Sequence, residues 1–299
     1  MKKSKKLKIA FKAAVHNLLH MRFGTWMVIL LLTAISAVFI LPIIYIVCNA
    51  FKPLNELFLY PPRFFVKNPT MQNFRDFIYA TDSSNVPFSR YLFNSLLVTV
   101  ATVALTIVIS LACAFAFSKM KFPGKGWMFK VIIVALMFSP EAVVITRYLI
   151  VSGLGLLNTY WAHILPQLAL PMGVFMIKQF MDQIPDSLCE AAHIDGANDF
   201  QVLFKIIAPT VAPAIGTVLI VSFQAVWGDT ATSTLYTFDE SMKTMPYFIS
   251  TLTSGITGSS VARVGAAAAA GLILFLPNFI IFFILQKSMI ATMVTSGIK

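Results

Sequence analysis

Few residues of this chain could do chemistry, and they lie far apart. Glu141 follows Pro140 inside an apolar stretch, and Tyr148, seven residues on, would share its helical face. A carboxylate in hydrocarbon is costly, so Glu141 faces a cavity or a partner, or else sits hydrated near an interface. Thr217 and Gln224 are also seven apart, with Trp227 and Asp229 just beyond them. Asn278 follows Pro277, and Gln167 follows Pro166. Glu141, Tyr148, Gln224, Trp227, Asp229 and Asn278 are therefore candidates to line a polar pathway. The competing reading of each is a hydrogen bond between packed helices. Enzyme signatures are missing: there is no G-x-x-x-x-G-K-[ST], H-E-x-x-H or G-x-S-x-G run. The four histidines and three cysteines are scattered, which supports neither a metal centre nor a disulfide framework. No catalytic residue, metal or bound cofactor is expected of this chain, and any ATP must be held by another.

The most informative polar stretch is Glu190–Pro213, EAAHIDGANDFQVLFKIIAPTVAP, set between two apolar runs. Ser187 and Glu190 have capping-box spacing for a first short helix, and Gly196 supplies a left-handed stop. Asp199 is placed to cap a second helix, and Pro209 and Pro213 mark entry into the next span. The expected product is a helix-turn-helix knob with Leu188, Ala191, Ala192, Ile194 and Phe200 as its apolar contacts.

The elements that must position these residues are membrane helices. The 299 residues are 58% hydrophobic and only 12% charged, against roughly a quarter charged in soluble domains. Crossing a hydrocarbon layer of about 30 Å takes around 20 apolar residues. Candidate spans are Trp26–Ala50, Leu92–Phe117, Trp127–Ser152, Trp161–Ile177, Ile206–Trp227 and Val264–Gln286, an all-α bundle of six. The net charge of +11 follows topology rather than nucleic acid: six of the 23 basic residues are lysines within the first 12 positions. Fifteen Lys and Arg fall on the N-terminal side of the spans and eight on the other, where seven acids balance them. The positive-inside rule then puts both termini and the Glu190 loop in the cytosol.

The organisation follows. Residues 1–25 form a basic tail whose Leu7–Leu19 stretch reads as an amphipathic helix lying on lipid. Residues 26–50 form an anchor, and 51–90 a proline-rich outer segment. Residues 91–287 form a five-helix core that carries the polar loop at about 180–205, and 288–299 a cytosolic tail. Gly228–Arg263 is a second outer segment.

The run Glu190-Ala191-Ala192, Asp195-Gly196-Ala197 and Pro209 resembles the EAA signature of type I ABC-importer permeases. The glycine stands six residues after the glutamate and the proline thirteen further on. Phe51-Lys52-Pro53, Asn94-Ser95, Gly155-Leu156-Leu157-Asn158-Thr159, Ile184-Pro185 and the ending Ser296-Gly297-Ile298-Lys299 are similar to the carbohydrate branch, specifically its maltose-type second permease. Relatives usually carry Trp-Asn-Asp where this chain has Trp227-Gly228-Asp229.

The resemblance implies a non-catalytic permease subunit in a bacterial-type cytoplasmic membrane. It would pair with a second, related permease as a heterodimer, over two cytosolic ABC ATPase subunits that bind ATP and Mg. An extracytoplasmic solute-binding protein would deliver an oligosaccharide or other carbohydrate. Glu190, Ala191, Ala192, Asp195, Gly196, Ala197, Phe200 and Pro209 would form the ATPase-coupling loop, and Gly297 and Lys299 a tail contact with the ATPase. The alternatives are the same machine with a polyamine or phosphate-ester cargo, and a stand-alone secondary carrier.

Overall fold

A computed structural model of the chain describes residues 23–82, 86–254 and 260–297. The Leu7–Leu19 helix and Lys299 lie outside these residues. Among them every regular element is helical.

Three helices are long and apolar enough to cross a membrane unbroken: α1 (Phe23–Phe51), α4 (Phe88–Lys119) and α15 (Ser260–Gly297). Between them lie α2 (Leu54–Leu57), α3 (Gln72–Asp82), α5 (Lys125–Ala135), α6 (Val144–Gly153), α7 (Tyr160–Leu168) and α8 (Pro171–Met181). Then come α9 (Asp186–Ile194), α10 (Asp199–Gln201), α11 (Ala208–Thr210), α12 (Ala212–Trp227), α13 (Ala231–Tyr236) and α14 (Met245–Ser254).

The other three expected spans are broken. Trp127–Ser152 is α5 and α6 with a 3-10 turn, Pro140–Val143, between them, and the two halves bend by 105°. Ser139 precedes a proline and sits in the extended region (φ −70°, ψ 137°), as the clash with the proline ring demands. The helical face shared by Glu141 and Tyr148 therefore does not form. Trp161–Ile177 splits into α7 and α8 with a 44° bend. Leu170, ahead of Pro171, is held at φ −114°, ψ 83° for the same reason. Ile206–Trp227 turns by 85° at Val211, between Pro209 and Pro213, so the straight crossing helix α12 has only 16 residues. Counting each bent pair as one crossing gives six.

Helix α4 is the mast of the bundle, packing against α7, α8 and α12, while α15 packs on α12, α1 and α3. Thr102, Thr106 and Ser110 form a buried polar line along α4. At Gly173 of α8 an added Cβ would lie 3.0 Å from the Ser110 Oγ and 3.1 Å from Val218, a close approach of the kind small residues allow in membranes.

The ends of α4 carry different chemistry. Its C-terminal end holds Lys119, which bonds the Ile184 carbonyl and pairs with Asp186 at 2.7 Å. Around it lies a core of Leu111, Ile177, Met181, Val202, Ile207 and Val211. Its N-terminal end meets the Ser241–Thr244 segment: Asn94 Nδ2 donates to the Ser241 and Lys243 carbonyls at 2.8 and 2.9 Å. The Met245 amide donates to Ser95 Oγ at 2.7 Å. Phe77, Tyr91, Trp227, Met245 and Phe248 form the core there.

At the same end the Asn73 amide donates to the carbonyls of Asn49, Ala50 and Lys52 at 3.3, 3.0 and 2.7 Å. It thereby satisfies the orphan carbonyls at the end of α1. Buried Glu56 accepts the backbone amides of Lys67 and Asn68, both at 3.0 Å. The Lys67 amide, followed by the Asn68 bonds, holds its carboxyl below the ordinary glutamate range.

Candidate coupling knob and polar cavity

The stretch from 185 to 211 folds as the expected knob, with two corrections to its caps. Helix α9 begins two residues earlier than the Ser187–Glu190 spacing implies, behind Pro185, and carries no side-chain cap. Its first residue is Asp186, drawn to Lys119, whose hydrogen bond and charge hold the Asp186 carboxyl low. The second cap is Asn198 rather than Asp199. Asn198 Oδ1 accepts the Gln201 amide at 2.9 Å, and Gln201 Oε1 accepts the Asn198 amide at 3.1 Å. Asn198 wins because the glutamine three residues on completes a capping box. Asp199 instead meets His193 Nε2 at 3.0 Å, clasping α9 to α10.

The turn between the two helices explains its own sequence. The Gly196 amide bonds the His193 carbonyl at 3.0 Å, and the Ala197 amide bonds the Ala192 carbonyl at 2.9 Å. These are the two bonds of a Schellman motif. Gly196 sits at φ +86°, the left-handed position that favours glycine. Ala192 is buried and Ala197 packs against the same core, which is the apolar contact the motif brings with it.

Burial divides the knob into two faces. Cys189 and Ala192 point inward. Glu190, Ala191 and Asp195 are exposed, as are Leu188 (43%), Ile194 (87%) and Phe200 (74%). Of the expected apolar contacts, only Ala192 serves this chain's own core. After the knob, Val202–Ile207 forms a π-helical turn and Pro209 lies exposed at the 85° bend. Gly297 ends α15.

The six pathway candidates are not brought together. Glu141 is exposed in its 3-10 turn beside Ser139. Tyr148 stacks on Tyr236 at 6.3 Å. Gln224 is exposed, two turns along the same face of α12 from buried Thr217, whose hydroxyl bonds the Pro213 carbonyl. Trp227 is 2% exposed, stacks on Phe223 and donates from Nε1 to the Leu274 carbonyl at 3.0 Å. It joins α12 to α15. Asn278 Nδ2 reaches the same carbonyl at 3.5 Å.

Asp229 does line a cavity. A hollow of about 250 Å³ is bounded by α6, α7, α12 and α13, with Arg147, Gln167, Ser222, Asp229, Thr232 and Tyr236 among its walls. The Asp229 Oδ2 accepts the Thr232 amide at 3.0 Å and the Thr232 hydroxyl. The Thr232 hydroxyl in turn meets His163 Nδ1 at 2.8 Å, and His163 Nε2 meets the Thr237 hydroxyl at 3.0 Å. His163 is fully buried. Gln167 Nε2 and Ser222 Oγ are buried without a hydrogen-bond partner, which costs about 1–3 kcal/mol each if nothing satisfies them. Arg147, Ser222, Thr232 and Tyr236 escape the sequence argument because three separate elements, α6, α12 and α13, bring them together. One signal was available, since Arg147 is the only Lys or Arg between Lys130 and Lys178.

The geometry can be set beside known proteins. A bacterial ABC transporter involved in the import of the acidic polysaccharide alginate has a chain that matches over 89% of this one and 95% of its own length. The TM-score is 0.76 at 19% identity, which establishes the type I importer membrane fold. In sequence the chain is 29% identical over 260 residues to the sulfoquinovosyl glycerol transport permease SmoH of Agrobacterium fabrum, covering 86% of this chain and 88% of that one. It is 26% identical over 272 residues to the galactooligosaccharide transport permease GanQ of Bacillus subtilis, covering 90% and 94%. The diacetylchitobiose uptake permease DasC of Streptomyces coelicolor matches at 27% over 262 residues, covering 87% and 92%. Residues 13–289 match the family described as the inner membrane component of binding-protein-dependent transport systems, and with knob, bundle and relatives in agreement the chain belongs to that family.

Proposed function

We propose that this chain is the permease subunit of an ATP-driven carbohydrate importer, with an oligosaccharide or related saccharide as its solute. The observation that carries the reading is the knob. It is closed by a Schellman turn on its own core, yet presents Leu188, Glu190, Ala191, Ile194 and Phe200 outward at the lysine-bearing end of α4. An apolar, acid-tipped projection held this firmly suits a groove on a cytosolic ATPase. Closure of an ATPase dimer would push the knob, and the core around Met181, Val202 and Ile207 would pass that push to α8 and α12. The relatives named for saccharide transport support the cargo class.

This reading places both termini and the knob in the cytosol of a bacterial cell. It gives the permease a related partner subunit, two ATPases that supply ATP and Mg, and a solute-binding protein at the Asn94–Lys243 end. The Gly297–Lys299 tail is a second ATPase contact in this scheme. Uptake of labelled oligosaccharide into cells lacking the chromosomal copy tests it. The wild-type chain should restore uptake, while Glu190→Ala and Gly196→Pro chains should insert normally and restore none. Normal uptake by the Gly196→Pro chain, or uptake by the purified chain in vesicles without an ATPase, would overturn it.

A further inference from the structure

The polar cavity has a feature that neutral-sugar transport leaves unused. Arg147 is half-buried within the second arm of a broken span, yet it forms no hydrogen bond or ion pair with any other described residue. The other charged group in the cavity wall, Asp229, has its Oδ2 taken up by Thr232. Two further donors on the wall, Gln167 Nε2 and Ser222 Oγ, are buried without partners, and Ser222 is only 3% exposed. A guanidinium is always charged and presents a planar fork of donors that matches a two-oxygen acid group. Such a charge at membrane depth is costly, and residues of this kind mark solute paths.

We infer that this cavity is an acid-group subsite: Arg147, helped by Gln167 and Ser222, receives the carboxylate or sulfonate of an acidic saccharide. The inference rests on the carbohydrate reading above and narrows its cargo. It predicts that transport discriminates by charge within this chain, in addition to any selection by a binding protein.

The test uses the whole importer, purified with its partner permease, ATPase and binding protein and reconstituted in vesicles. Uptake of digalacturonate is compared with that of galactobiose, its neutral counterpart. The wild type should import digalacturonate. Arg147→Gln should lower the ratio of digalacturonate to galactobiose uptake roughly tenfold or more, the scale of one lost charge-assisted pair. Arg147→Lys, which keeps the charge but loses the fork, should fall between. An unchanged ratio in Arg147→Gln overturns the subsite, as does import of galactobiose without digalacturonate; both leave the carbohydrate reading standing. Import of neither saccharide, with uptake of a polyamine or phosphate ester instead, overturns both. The same assay in vesicles with and without anionic phosphatidylglycerol separates the remaining source of an acid group. If Arg147 serves a lipid phosphate, the variant's defect appears only with anionic lipid and is equal for the two sugars, which refutes the inference.

Discussion

Three substitutions at Gly196 should rank in a fixed order, and the structure sets the spacing between them. An added Cβ meets nothing within 4 Å, so alanine is penalised only by the backbone angle of +86°. For an ordinary L-residue the left-handed region costs about 1–2 kcal/mol, a factor of about 5–30 in the balance between closed and open turn. Asparagine tolerates this region better than alanine and should cost less. Proline is worse on three counts. It fixes φ near −65° and removes the amide that bonds the His193 carbonyl. It also disfavours the conformation of Asp195, which sits at φ −75°, ψ 3°. Together these should exceed about 3 kcal/mol, opening the turn more than a hundredfold. The readout is hydrogen exchange at the Ala197 amide, which is protected by the Ala192 carbonyl in the wild type. Exchange should accelerate in the order Asn, Ala, Pro, and solute-stimulated ATP hydrolysis by the assembled importer should fall in the same order. If Ala and Pro behave alike, or the Ala197 amide of the Pro variant stays protected while hydrolysis is lost, the turn is not what positions the knob.

Further outcomes follow from single contacts. A Cβ at Gly265 would lie 2.3 Å from Asn73 Oδ1, and Asn73 is pinned by three bonds, so Gly265→Ala should destabilise by about 1–3 kcal/mol, read as a lower Tm of the detergent-solubilised chain. Trp227→Phe removes the bond to the Leu274 carbonyl and part of a buried ring, and should cost about 1–3 kcal/mol in the same assay. Asp186 titrates below the ordinary carboxylate range, so its tie to Lys119 contributes fully at neutral pH. That contribution is lost only as pH falls through the lowered native value. Protection at the first turn of α9, taken relative to the intrinsic exchange rate at each pH, should therefore fall at acid pH in the wild type, and in Asp186→Asn should already be low and independent of pH.

What could be read ahead of the structure was local. The left-handed stop at Gly196 is legible because its requirements, from Ala192 to Ala197, lie within six residues. The second cap was misplaced by one position because Asn198 and Asp199 are both good caps, and only Gln201 decides between them. Helices α1, α4 and α15 are evident from apolar length alone. The breaks at Ser139 and Leu170 are enforced by the prolines that follow, yet hydropathy runs straight through them. That Trp227 ties α12 to α15 could not be read ahead, because an indole N–H in a membrane helix does not say which neighbour accepts it. The cavity was invisible because Arg147, Gln167, Ser222 and Asp229 meet only once three bent spans pack together.

The line of contacts from Asp229 to Thr237 has a direction. An ionised carboxylate only accepts, so the Thr232 hydroxyl must spend its one hydrogen on Asp229. It then has only lone pairs to offer His163, which fixes the proton of the neutral imidazole on Nδ1. The opposite nitrogen becomes an acceptor, and the Thr237 hydroxyl must donate to it. One charge at the cavity wall thus orders three hydrogens in sequence, ending at the segment where Asn158 Oδ1 holds the Phe238 and Asp239 amides. A solute that drew the Asp229 carboxylate away would free every hydrogen in the row to turn round. An event at the cavity wall would then reach the Asn158–Asp239 contact as a reversal of polarity, without any helix having moved.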